Sequence, residues 1–369
     1  MSYYYLHTFA TTSLKSLHKF LKIAISNLPS ELIVELKEIG FGVLISFFYL
    51  KQKRRTFISS LNEFMKEFKD FPIKLFLDNG IYTYFGLSRD EILVPHLSLS
   101  IQEVFGHLII ELLRNLDELT KIFDVICVPD AQHYLPLSNH TTYEPIASAI
   151  SKSKRKCIPL IGVREADLNF IHYTKTGEFL FPTEQPPVPP DEEVFEFYDS
   201  VLFKPFLSRD IQFGISPEGK VSISDRKTWL SYKVLKYYIQ KGYCIWSHIY
   251  GVGGNLDDII ISFPSKPHVL IRSGDCSCAT SITKYGGNVE KAFIDCIITS
   301  KEDIYRFDSA ISPRTRSPQS VRKRKGKIIP VPDHENLGGI SVKGHLLYII
   351  NINKILKGIL SNHPQDFIF

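Results

Sequence analysis

The feature that most constrains this chain is a recurring alternation: short apolar runs that end abruptly, each followed by a longer stretch whose apolar residues return every three or four positions. GVLISFFYL (Gly42 to Leu50) leads into TFISSLNEFMKEFKDF, where Phe57, Ile58, Leu61, Phe64, Met65 and Phe68 are spaced as one buried helix face requires. IKLFLD (Ile73 to Asp78) follows. A helical region from about Leu99 to Phe123 then leads into VICVPD (Val125 to Asp130), and a helix carrying Ile146, Ala149 and Ile150 leads into CIPLIGV (Cys157 to Val163). Strands separated by helices must run parallel, because the helix carries the chain back to its starting edge.

Four further runs have strand character: VLFKPF (Val201 to Phe206), IQFGIS (Ile211 to Ser216), IWSHIYGV (Ile245 to Val252) and HVLIRS (His268 to Ser273). Eight candidates with helices between many of them predict an α/β fold, a (β/α)8 barrel over residues 41–300, close to the ~250 residues usual for that architecture. Residues 1–40 read as an N-terminal helical extension. Residues 301–369 read as a basic loop and C-terminal segment. The Pro-rich acidic stretch TEQPPVPPDEE (183–193) reads as an insertion that is neither helix nor central strand.

With 369 residues, 44% of them hydrophobic, the chain has ample material for a core, which excludes wholesale disorder. Six scattered cysteines in so long a chain do not form the dense framework of a small secreted domain, so they are expected as reduced thiols of a cytoplasmic protein. The longest apolar run, Phe41 to Leu50, is about half of the ~20 residues that a spanning helix needs. Formal net charge is +5, and seven basic residues with no acidic one fall between Pro313 and Lys327. These are Arg314, Arg316, Arg322, Lys323, Arg324, Lys325 and Lys327, a composition suited to a nucleic-acid partner.

In a parallel barrel, functional side chains gather where strands end. Three runs end in or beside an aspartate: Asp78, Asp130 and Asp275. A single strand-end aspartate ordinarily makes an Asx turn or caps the next helix. Three around one mouth repel one another, so one can stay ionised as a nucleophile while another exchanges protons, which suits glycosidic bond chemistry.

The segment HIYGVGGNLDDIIISFPSKPHVLIRSGDCS (His248 to Ser277), together with LFLDNG and VICVPD, resembles the tRNA-guanine transglycosylase superfamily, with the Asn-Gly after Asp78 closest to its DNA 7-deazaguanine branch. The resemblance implies exchange of guanine in nucleic acid, DNA ahead of tRNA, for a 7-deazaguanine base through a covalent glycosyl-enzyme intermediate. It makes Asp275 the nucleophile, Asp78 the general acid/base and Asp130 a base-edge acceptor. Asn79, Gly80, Phe213, Gly214, Gly251 and Gly253 would contact the substrate. Where the family carries Gln-Gly after its fourth strand, this chain has Val163, Arg164 and Glu165. Neither a redox cofactor nor ATP is implied. No structural zinc is expected, because Cys276 and Cys278 lack a nearby third cysteine. The alternatives are a nucleic-acid- or base-binding barrel without turnover, and a carboxylate glycosidase acting on a nucleoside or sugar.

Overall fold

The computed structural model describes residues 4–11, 14–47, 50, 54–80, 101–129, 139–153, 157–164, 166–178, 187–217, 226–250 and 269–273, with 342, 346 and 350. In chain order these form β1 (Tyr4–Thr11), α1 (Leu14–Ser26), α2 (Ser30–Ile39), β2 (Phe41–Ser46), α3 (Arg54–Glu67) and β3 (Ile73–Asp78). There follow α4 (Ile101–Arg114), α5 (Leu116–Ile122), β4 (Val125–Cys127), α6 (Asn139–Lys152), β5 (Ile158–Val163) and α7 (Ala166–Thr176). The last described elements are α8 (Asp191–Phe197), a π-helical turn (Tyr198–Leu202), α9 (Lys204–Leu207), β6 (Phe213–Pro217), α10 (Arg226–Gln240), β7 (Cys244–Tyr250) and β8 (Val269–Ser273).

All eight strands pair in parallel in chain order, and β1 pairs with both β2 and β8, so the sheet closes on itself. The register around the ring is staggered. From Tyr4 one way round it runs through Val269, Trp246, Gly214 and Leu160 to Cys127, whereas from Thr11 the other way it runs through Ile45 and Leu77 to Ile126, so adjacent residues of β4 trace back to opposite ends of β1. Closure demands such a stagger, because strands must tilt for a twisted sheet to meet its own edge.

Alternation along each strand separates two apolar layers. Phe41, Val43 and Ile45 of β2, Leu75 and Leu77 of β3, Ile126 of β4, Ile161 and Val163 of β5, and Phe213 and Ile215 of β6 face outward into the main core shared with the helices. Leu44, Phe76, Val125 and Leu160 are equally buried but do not belong to that core, so they fill the barrel interior. Register confirms the assignment: Leu44 pairs with Phe76, Phe76 with Val125, and Leu160 with Gly214.

The outer layer explains the helices. In α3, Phe57, Leu61 and Phe64 are buried, and Phe68 just beyond it, while Met65 is 37% exposed and so leaves the buried face that its spacing predicted. The predicted long helix up to Phe123 is two helices, broken at Asn115, whose Nδ2 donates to the Glu111 carbonyl. Between α2 and β2, Gly40 adopts φ +73°, and a Cβ there would lie 1.9 Å from the Pro72 carbonyl oxygen. Only glycine fits that approach, which also lets Phe41 N–H donate to the same oxygen at 3.0 Å.

Three expectations are corrected. Residues 1–40 are no helical extension: Tyr4–Thr11 is the first strand of the sheet and only then do α1 and α2 begin. VLFKPF is helical, since Tyr198, Leu202, Phe203 and Phe206 are all buried at helical spacing and Pro205 sits in the first turn of α9. Within 183–193, Asp191, Glu192 and Glu193 form the first turn of α8, where negative charge complements the helix dipole. No described helix is long and apolar enough to cross a membrane.

Candidate functional site at the carboxyl-terminal mouth

The inward register of β2 to β6 ends in polar residues. Leu44 gives way to Ser46, Phe76 to Asp78, Val125 to Cys127, and Gly214 to Ser216, while β5 offers Gly162 and then Arg164 just beyond its end. An apolar floor with a polar rim is what a parallel barrel presents at this end. Ser46 and Ser216 are buried, whereas Asp78, Cys127 and Arg164 are half-buried.

Ser46 and Asp78 are Cα partners across β2 and β3. Asp78 Oδ2 accepts the Gly80 N–H at 3.1 Å, an Asx turn that Gly80 completes with φ +76°. This is the ordinary use of a strand-end aspartate, and here it also fixes the carboxylate at the rim. The Asn79 amide reaches the Val128 carbonyl at 3.5 Å, long for a hydrogen bond. Ser46 is 8% exposed, and its Oγ has no hydrogen-bond partner among the described residues. Buried hydroxyls are satisfied in the great majority of native sites, and among the described residues nothing satisfies this one.

On the far side, Arg164 Nη1 donates to the Ser216 carbonyl at 3.0 Å and to that of Val163 at 3.4 Å, placing the guanidinium across the ends of β5 and β6. Its backbone N–H donates to Asp167 Oδ2 at 3.0 Å, while the Asp167 N–H returns a bond to the Arg164 carbonyl. Asp167 is fully buried and also receives the Tyr198 hydroxyl at 2.6 Å. Burial, then the Asp167 charge beside it, pushes the Tyr198 hydroxyl far above the ordinary tyrosine range, so it stays a donor.

Of the residues expected at the site, the structure brings Asp78, Asn79 and Gly80 to the mouth, and Gly214 to the inward face of β6. Phe213 is corrected. It faces outward, fully buried among Phe203, Phe206, Tyr238 and Tyr243, and cannot meet a ligand in the barrel. Asp130, Gly251, Gly253 and Asp275 lie outside the described residues, as do Cys276, Cys278 and the basic positions Arg314, Arg316, Arg322, Lys323, Arg324, Lys325 and Lys327. Motif reading missed Ser46 and passed over Arg164, neither of which belongs to a strand-end aspartate pattern.

No protein-family model matches the chain, and no curated protein matches it. A solved structure from Coccidioides immitis, described as that of "a putative fructose-1,6-biphosphate aldolase", is similar over 95% of this chain and 92% of its own, at 10% identity and a TM-score of 0.42. A likeness that distant establishes neither activity nor substrate. Neither sequence comparison returns a transglycosylase. Base exchange through Asp275 and Asp78 is corrected accordingly, and that reading ends here.

Proposed function

We propose that this chain is an enzyme of the TIM-type (β/α)8 class that binds a small, polar, hydroxyl- or amide-bearing molecule at the carboxyl-terminal mouth and acts on it by carboxylate acid-base chemistry. Asp78 is the proton-exchanging group. The observation that carries the reading is Ser46 Oγ, buried and without a hydrogen-bond partner among the described residues, on the strand position paired with Asp78. A substrate hydroxyl or amide held there would satisfy the serine and bring its own proton toward the carboxylate. General acid-base catalysis by one positioned side chain contributes about 10²–10⁴-fold, and a carboxylate fixed by its Asx turn loses little freedom when substrate binds. Arg164, anchored to two strand-end carbonyls, supplies positive charge on the opposite wall.

The test is turnover by the full chain of a panel of nucleosides, sugar phosphates and hydroxy acids, followed by NMR, in wild type and Asp78→Asn. A substrate of the wild type whose turnover drops about 100-fold or more in the variant, at unchanged Tm, supports the reading. Equal turnover by Asp78→Asn removes Asp78 from the chemistry.

A further inference from the structure

We propose that Asp167 and Tyr198 are positioning residues that hold Arg164 in place at the barrel mouth. The inference rests on the mouth being the working site, and its experiment is read independently of any turnover.

Three observations converge. The first is local. Arg164 lies two residues before the start of α7, and Asp167, three residues on and inside its first turn, accepts the Arg164 backbone N–H while donating its own N–H to the Arg164 carbonyl. This reciprocal pair has the logic of a capping box and fixes the backbone from which the Arg164 side chain departs. The second concerns burial. A helix cap normally works at the surface, yet Asp167 is 0% exposed, and a carboxylate taken from water is costly unless it is hydrogen-bonded.

The third observation is where its partner comes from. Tyr198, also fully buried, opens the π-helical turn, in which the Phe203 N–H reaches back five residues to the Tyr198 carbonyl at 2.7 Å. Tyr198, Leu202 and Phe203 are all buried around this turn. Such inserted turns recur at functional sites. A chain of contacts therefore runs from the π-turn through the Tyr198 hydroxyl and the Asp167 carboxylate to the Arg164 backbone, and from the Arg164 guanidinium to the end of β6. A cap needed only to start a helix would require neither the buried charge nor the tyrosine.

The experiment follows modification of the full chain by phenylglyoxal, an arginine-specific reagent, with rates for Arg164 and Arg209 read by peptide mass spectrometry. Arg209 is the internal reference, because it pairs with Glu144 elsewhere in the fold. Tyr198→Phe removes only the hydroxyl. It is expected to raise the Arg164 rate about tenfold, as loss of a hydrogen bond to a charged group implies, with the Arg209 rate unchanged. Asp167→Asn is expected to do the same, and Asp167→Glu to restore protection in part, since Glu keeps a carboxylate to accept the Arg164 N–H. If Tyr198→Phe fails to fold, the Asn and Glu pair at 167 decides alone. Arg164 rates that move no more than those of Arg209 overturn the proposal. Should Arg164→Ala leave turnover untouched while the protection pattern holds, the reading of the mouth fails and the positioning role stands.

Discussion

Replacing Ser46 by alanine sets stability against function at a single oxygen atom. Ser46 is 8% exposed and its hydroxyl has no partner among the described residues, and a hydroxyl so placed carries its desolvation cost without the return of a hydrogen bond. For a buried hydroxyl left unmade this cost is about 1–3 kcal/mol. Alanine keeps the Cβ and removes only the oxygen, leaving a void smaller than a methyl group and a correspondingly small packing loss. The expected balance is a gain of roughly 1–2 kcal/mol, or a rise in Tm of about 1–3 °C for a chain of 369 residues. Thermal and urea melts of wild type, Ser46→Ala and Ser46→Thr measure it, the threonine serving as a control that retains the hydroxyl. The same alanine is expected to weaken turnover of any substrate found for the mouth, the usual opposition between stability and a strained site. A loss of 1 kcal/mol or more in Ser46→Ala would refute the reasoning, because it would mean that the hydroxyl is satisfied in the folded state.

Gly40→Ala is expected to destabilise by about 2–5 kcal/mol, combining a left-handed backbone with a Cβ pressed against the Pro72 carbonyl, and a urea melt reads it directly. Asp199 accepts the Tyr237 and Tyr238 hydroxyls and the Lys241 ammonium; although burial alone would raise its pKa, those bonds leave it below the ordinary carboxylate value. Its contribution to stability is therefore complete above the unfolded carboxylate pKa of about 4 and lost as pH falls through the lower folded value. Asp199→Asn should accordingly flatten the acid limb of a Tm-against-pH curve. For the run from Pro313 to Lys327, we propose a polyanion partner, and neutralising Arg322, Lys323 and Arg324 should lower the salt dependence of binding to a duplex DNA probe by a slope of up to about 3. An unchanged slope in fluorescence anisotropy would remove those residues from the contact.

Strand-helix alternation made the parallel sheet legible, and seven of the eight candidate strands pair around the ring, with Tyr4–Thr11 standing in place of VLFKPF. YYLHTFAT is rich in aromatic and β-branched residues, as strands are, yet it abuts the strong helical pattern of α1 and reads as its continuation. VLFKPF looked like a strand because it is apolar; Pro205 within it was the signal against. Asp78 could be found because a carboxylate ending an apolar run is conspicuous. Phe213 was misplaced for a general reason: a strand buried on both faces shows no alternation, so only register tells inside from outside. Ser46 is invisible to motif reading for the same reason, since what marks it is a missing partner.

The pairing of β1 with β8 also sets a timetable for synthesis. Tyr4–Thr11 leaves the ribosome before the other seven strands, and one of its two edges must wait for Val269–Ser273. At ordinary elongation rates of about 5–20 residues per second that is roughly 13–50 s, during which a parallel strand edge is available to any other extended chain. α1, α2 and β2 follow at once and can hold β1 from one side while the sheet remains open. The ring is therefore finished by the pair most distant in sequence, the kind of long-range contact that forms slowly because its loop-closure entropy comes before its reward.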